Sequence, residues 1–290
     1  MGTAVRPVLR FVRWALIATT LAALAFCAFV YISNARMFAH RYPLAHVTLS
    51  VITSPEAVQR GKALADVTGC TDCHRPDLRG GVFVDESWLH GIYYAANLTL
   101  KAQKYSDEDL ARIVRLGVRP DGRSVVAMPA HGFVRLTDGE MADIIAFLRS
   151  LPGGGIEQPD NFIGPLDHWD LWRGQTLKIN VAYVADELRK DPPDAGSQHS
   201  AARHLVGVVC VECHGGDLKG NGWDTGAPDL AVVLAYDVPE FTRLLRTGVA
   251  ADGKERGLMS LVAKSRLHNL TDQQIAGIHA YLTARAKPGS

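Results

Sequence analysis

The sequence predicts an all-α chain: an N-terminal transmembrane helix, then two copies of one helical module. Three observations carry that reading. Residues 14–32, WALIATTLAALAFCAFVYI, are 19 consecutive uncharged positions, about the length that crosses the hydrocarbon core of a bilayer. Landmarks from the middle of the chain recur near its end in the same order, the signature of an internal repeat. Apolar residues fall at helical spacing behind capping residues, and no convincing run alternates with the period of two expected of a strand.

Arg6, Arg10 and Arg13 precede the uncharged span, against Arg36 and Arg41 beyond it. Positive charge retained on the cytoplasmic side then orients the N-terminus inward and the rest of the chain outward. A cleaved signal peptide is the competing reading, but its apolar stretch is shorter and is followed by small residues. Here the stretch ends in Phe29-Val30-Tyr31-Ile32, bulky side chains that suit a membrane interface. Cys27 follows Phe26, which does not suit a lipoprotein cleavage site, so it reads as a small apolar residue. The expected organisation is a cytoplasmic tip, anchor and tether over residues 1–50, a first module over 51–153, a connection over 154–197 and a second module over 198–290.

The repeat can be followed residue by residue. Arg112-Ile113-Val114-Arg115-Leu116-Gly117-Val118 matches Arg243-Leu244-Leu245-Arg246-Thr247-Gly248-Val249 at an offset of 131. Asp121-Gly122 matches Asp252-Gly253, and Met128 matches Met259, at that same offset. Leu136-Thr137-Asp138 matches Leu270-Thr271-Asp272 at 134. Within the modules, residues 55–67 read as a helix. Ser106 with Asp109 resembles a capping box opening a helix that stops near Gly117. Thr137 with Glu140, and Thr271 with Gln274, form stronger capping boxes at each module's last helix. Met141, Ile144, Ile145 and Leu148 give the first of these helices a buried stripe; Ile275, Ile278, His279 and Leu282 give the second. In the connection, Phe162, His168, Trp169, Trp172 and Tyr183 argue for packing on the modules, with a short helix over 179–188.

Cys70-Thr71-Asp72-Cys73-His74 recurs as Cys210-Val211-Glu212-Cys213-His214, and these segments use four of the five cysteines. Two thiols one helical turn apart can add to the two vinyl groups of a haem, and the histidine after them can ligate the iron. A redox disulfide or half a zinc site could also use a C-x-x-C pair, but neither requires that histidine. The 140 residues between the copies far exceed the usual spacing of a four-cysteine zinc site. Two covalently attached haem c groups are therefore expected.

The second axial ligand decides between electron transfer and substrate chemistry. Methionine opposite histidine raises the reduction potential and closes the iron. Met128, in Val126-Ala127-Met128-Pro129, is the candidate in the first module, and Met259 takes the matching place in the second. His131 and the helix residue Met141 are rivals in the first module; His268 and His279 are rivals in the second.

Each module resembles a class I cytochrome c domain. Arg60-Gly61-Lys62, the first C-x-x-C-H motif, Ala96-Asn97-Leu98-Thr99, residues 105–110 and Met128-Pro129 resemble the membrane-bound cytochrome subunits of bacterial periplasmic dehydrogenases. That resemblance implies two cytochrome c-like haem domains facing the periplasm from a bacterial inner membrane. It implies redox partner proteins: a dehydrogenase subunit, a quinol-linked complex or a terminal oxidase. Many such subunits carry three haems; two motifs point to a shortened or dihaem relative. The second module departs at Ala201 for Gly61, Ala227-Pro228-Asp229-Leu230 for Ala95-Ala96-Asn97-Leu98, and Ser260 for Pro129. A wider helix crossing and unequal haem potentials are expected from these changes.

Lys+Arg 31 against Asp+Glu 30 leaves no basic excess for nucleic acid. The leading expectation is an electron-transfer protein without substrate turnover of its own. The alternatives are a dihaem enzyme, such as a peroxidase or a thiosulfate-oxidising cytochrome, and a haem-based sensor or assembly module.

Overall fold

The computed structural model describes residues 5–174, 180–188, 190–220 and 226–287. Residues 1–4 of the expected tip, and Ile179 of the short connecting helix, lie outside them. Helix α1 (Val5–Ala39) is continuous, and its Pro7–Ala39 portion is long and apolar enough to cross a membrane. Its large side chains stay exposed, Phe11 at 75% and Trp14 at 68%. A helix apolar on every side is at home only in apolar surroundings.

The first helical body begins with α2 (Pro55–Val67). The Ser54 side chain accepts from the Ala57 amide, and Pro55 preorganises the first turn. Then come α3 (Cys70–His74), strands β1 (Gly81–Ser87) and β2 (Gly91–Ala95), α4 (Leu98–Lys104), α5 (Asp107–Leu116), α6 (Ala130–Phe133) and α7 (Asp138–Ser150). Ser106 caps α5 through the Asp109 amide, and Gly117 ends it in the left-handed conformation. The Thr137–Glu140 capping box is formed at α7, whose Met141, Ile144, Ile145 and Leu148 are all at most 4% exposed. A Cβ on Gly61 would lie 1.9 Å from the Asp143 carbonyl oxygen, so α2 and α7 cross at backbone contact. Arg60 clamps that crossing, donating twice to the Asp143 carboxylate at 2.6 and 2.7 Å.

The expectation of an all-helical first module is corrected here. β1 and β2 form an antiparallel hairpin, and β3 (Phe162–Ile163) of the connection adds a third strand beside β2. Val82-Phe83-Val84 and Ile92-Tyr93-Tyr94 suit a pleated surface. They carry no apolar–polar alternation, which is why periodicity missed them. The fold is mostly helical.

The connection continues through α8 (Pro165–Trp172) and α9 (Asn180–Glu187). It packs as its aromatics foretold: α8 lies along α1, and Tyr183 of α9 stacks near His131 with ring centroids 5.4 Å apart.

The second body holds α10 (Ser200–Val209), α11 (Val211–His214), a 3₁₀ segment (Leu230–Ala235), α12 (Val238–Thr247), α13 (Leu258–Ser265) and α14 (Asp272–Ala286). The Thr271–Gln274 capping box is formed, and Gly248 ends α12 left-handed as Gly117 ends α5. Isolated bridges Val118–Ser124 and Val249–Glu255 recur at the offset of 131. The equivalent helix crossing is looser. A Cβ on Gly277 would meet the Ala202 methyl at 3.7 Å, an ordinary contact.

Candidate haem-attachment sites

The backbone after each C-x-x-C-H motif follows one path. Arg75, Leu78 and Gly80 have φ of 67°, 57° and 70°; Gly215, Leu218 and Gly220, each 140 residues later, have 74°, 61° and 94°. Leucine is rarely left-handed, and both copies hold one there. Turn hydrogen bonds explain it: Gly80 N–H donates to the His74 carbonyl at 3.0 Å, and Gly220 N–H to the His214 carbonyl at 2.9 Å. The Leu78 and Leu218 carbonyls then accept from Leu98 and Leu230, at 2.8 and 3.0 Å. Both leucines are at most 1% exposed.

This path aims the histidines. His74 Nδ1 lies 2.7 Å from the Ala96 carbonyl oxygen, and His214 Nδ1 lies 2.8 Å from that of Pro228. Carbonyl oxygens only accept, so Nδ1 carries the proton in each ring and Nε2 keeps its lone pair for a metal. Burial pushes both histidines below their ordinary range, which favours the neutral form that ligates. The two carbonyls immediately precede Asn97, which caps α4, and Asp229, which caps the 3₁₀ segment. The residue that orients each histidine is thus the one just before the cap of the next helical turn.

None of the four motif cysteines is in a disulfide among the described residues. Burial raises them, Cys73 and Cys213 to about 11 and Cys210 to about 12. This upward push is the reverse of the lowered thiols of a redox-poised C-x-x-C. With two thiols and an Nδ1-anchored histidine at each motif, the residues fit covalent haem c.

Met128 and Cys70 pack against one hydrophobic core, and Met259 and Cys210 pack against the other. Ala127, just before Met128, has φ of 66°, a strained setting that over-determined functional loops tolerate. Met259 corrects the picture of two matching loops. It lies in the first turn of α13, whereas Met128 precedes α6. Pro129 cannot supply an amide to a helix, but Ser260 can. The buried Ser260 hydroxyl also donates to the Gly248 carbonyl at 2.5 Å.

Three of the four rivals are engaged elsewhere. Met141 is fully buried in the α7 stripe. His131 lies under the Tyr183 ring and bonds the Glu212 backbone. His268 is exposed, and His279 Nε2 faces the Tyr236 carbonyl at 2.9 Å.

Both motifs border one interface, which the sequence did not disclose. Arg266, just after α13, donates Nε to Asp72 of the first motif at 2.5 Å. Its Nη1 reaches Glu212 of the second at 2.7 Å. Their side chains are 16%, 25% and 15% exposed. Around this bridge the contacts cross over: Val67 of α2 enters the second core, and Val208 of α10 enters the first. The charge of Arg266 bears on both Cys73 and Cys213, so one guanidinium acts on a thiol of each motif.

The family model described as cytochrome c matches residues 58–152, from α2 to the end of α7. That segment is a cytochrome c domain, and such a domain implies covalently bound haem c and a role in electron transfer. No curated protein matches the chain.

Proposed function

We propose that this chain, with its cytochrome c domain at residues 58–152, is a membrane-anchored dihaem c-type cytochrome. It passes electrons from a periplasmic dehydrogenase or respiratory complex to another carrier or an oxidase. The observation that carries the second haem is the repetition at His214 of the His74 arrangement: the same Nδ1-to-carbonyl contact, followed by the same left-handed leucine. Haem c supplies one-electron exchange at its iron. Cys70 and Cys73 hold one group and Cys210 and Cys213 the other. His74 and Met128 would ligate one iron, and His214 and Met259 the other.

Two domains, 51–153 and 198–290, flank the connection 154–197. The helix α1 holds them at a bacterial inner membrane, with the domains on the periplasmic face. Confinement to that plane favours encounter with quinol-linked and oxidase partners. The contact between the motifs supports a two-step relay within one chain, because Arg266 holds both attachment segments against each other.

A peroxidase or thiosulfate-oxidising enzyme would need an iron open to substrate; a methionine available to each domain favours the relay. Purified chain should exchange electrons with small redox dyes on mixing, yet consume neither peroxide nor thiosulfate. Sustained turnover of either compound would favour the enzyme.

A further inference from the structure

The connection has a use beyond joining the domains. Helix α8 runs beside the part of α1 assigned to the bilayer. His168 meets Tyr31 and accepts from the buried Asn34 amide through its carbonyl at 2.7 Å. Further along, Trp169 and Trp172 pack edge-on against Phe26, with ring centroids 5.8 and 5.4 Å apart, and Trp172 also meets Phe29. The uncharged run of α1, Trp14 to Ala35, spans about 33 Å as a helix, a little more than the roughly 30 Å of the hydrocarbon core. The few ångströms of slack do not bring Phe29 into water, because it lies six residues, about 9 Å, inside the outer end of the run, and Phe26 lies deeper. Whatever packs on them shares their depth.

The outward side of α8 suits that position. Leu166, Trp169 and Trp172 stay 41%, 37% and 40% exposed after packing on α1. The β1–β2 hairpin extends the patch with Trp88 at 68%. Leu166 N–H donates to the Leu89 carbonyl at 2.9 Å, and Tyr93 of β2 donates its hydroxyl to Asp167 of α8. Hairpin and helix are therefore one rigid surface. The Arg173 guanidinium lies 5.7 Å from the Trp169 ring centroid, and tryptophan with arginine is the composition of a membrane–water interface.

We propose that α8 and the tip of the β1–β2 hairpin form a second membrane contact, seated at the boundary between headgroups and acyl chains in the leaflet through which α1 leaves the bilayer. Asp170 on α8 and Arg173 just after it keep the helix from sinking further into the acyl layer. Two contacts fix the tilt of the haem domains over the membrane, where a single helix would leave them to swivel. This rests on the reading of α1 as an anchor.

The full chain in phosphatidylcholine vesicles doped with a diazirine phosphatidylcholine, irradiated and then digested, reads lipid contact peptide by peptide. Lipid adducts are expected on the peptides holding residues 88–89 and 166–172 as well as on α1. Trp169→Glu with Trp172→Glu should reduce the α8 adducts severalfold and leave those on α1 unchanged. Adducts confined to α1 would overturn the proposal and spare the anchor. Adducts on neither would overturn both.

Discussion

Arg266→Leu is expected to destabilise the chain by about 2 kcal/mol, less than the roughly 3–5 kcal/mol lost when one partner of a fully buried ion pair is removed, because the Asp72 side chain keeps a quarter of its surface in water. The substitution leaves Asp72 and Glu212 facing each other with the bridging cation gone. The two carboxylates, of which Glu212 is the more buried, then repel each other. Chemical denaturation of the holoprotein measures the loss. Arg266→Lys should recover only part of it, because an ammonium lacks the fork that serves two carboxylates at once. Adding Asp72→Asn and Glu212→Gln to the leucine variant should restore most of the stability by removing the uncompensated charges. A leucine variant within about 0.5 kcal/mol of the parent, the usual range of a surface substitution, would show that the bridge does not hold the interface. The same variant carries a functional signature. Loss of a positive charge beside both motifs favours the oxidised state, so both reduction potentials should fall together.

The second large effect concerns the axial methionines. Met128→Ala should leave one iron without its thioether, removing one of two near-infrared sulfur-to-iron bands and allowing carbon monoxide to bind there. The potential of that centre should drop by on the order of a few hundred millivolts, within the range axial ligands control. Met259→Ala should do the same to the other centre alone. Potentiometric titration followed by carbon monoxide difference spectra separates the two sites. An unchanged near-infrared spectrum would move the ligand elsewhere. His131 would then have to leave Tyr183 and the Glu212 backbone, and His279 would have to leave the Tyr236 carbonyl.

Elements governed by local chemistry were legible in the sequence. The α2 boundaries, the Thr137 and Thr271 capping boxes and the left-handed ends at Gly117 and Gly248 each depend on a few neighbouring residues. The stripe of α7 was equally plain, since helical spacing alone places Met141 and Ile145 on one face. The β-hairpin was not, because its strands lack alternation and gain their third partner from residues 162–163. Contacts joining distant parts of the chain left no local mark. Arg266 meets Asp72 across 194 residues and Asn34 meets His168 across 134, so neither could be paired by pattern.

The histidine supports lie between these cases. Asn97 and Asp229 were visible as matching positions in the repeat. What the sequence could not supply was that the carbonyls just before them, on Ala96 and Pro228, turn toward His74 and His214. The difference between Met128 and Met259 was also half-visible. Ser260 in place of Pro129 was noted as a departure, and its consequence is that a helix starts before the methionine and not after it.

The central claim is that the second motif carries a haem as the first does. Acid–acetone extraction of the purified full chain, followed by haem quantification on the washed polypeptide, tests it directly. Two covalently retained haems per chain are predicted. One haem per chain, with Cys210 and Cys213 still reactive toward thiol reagents after denaturation, would contradict it.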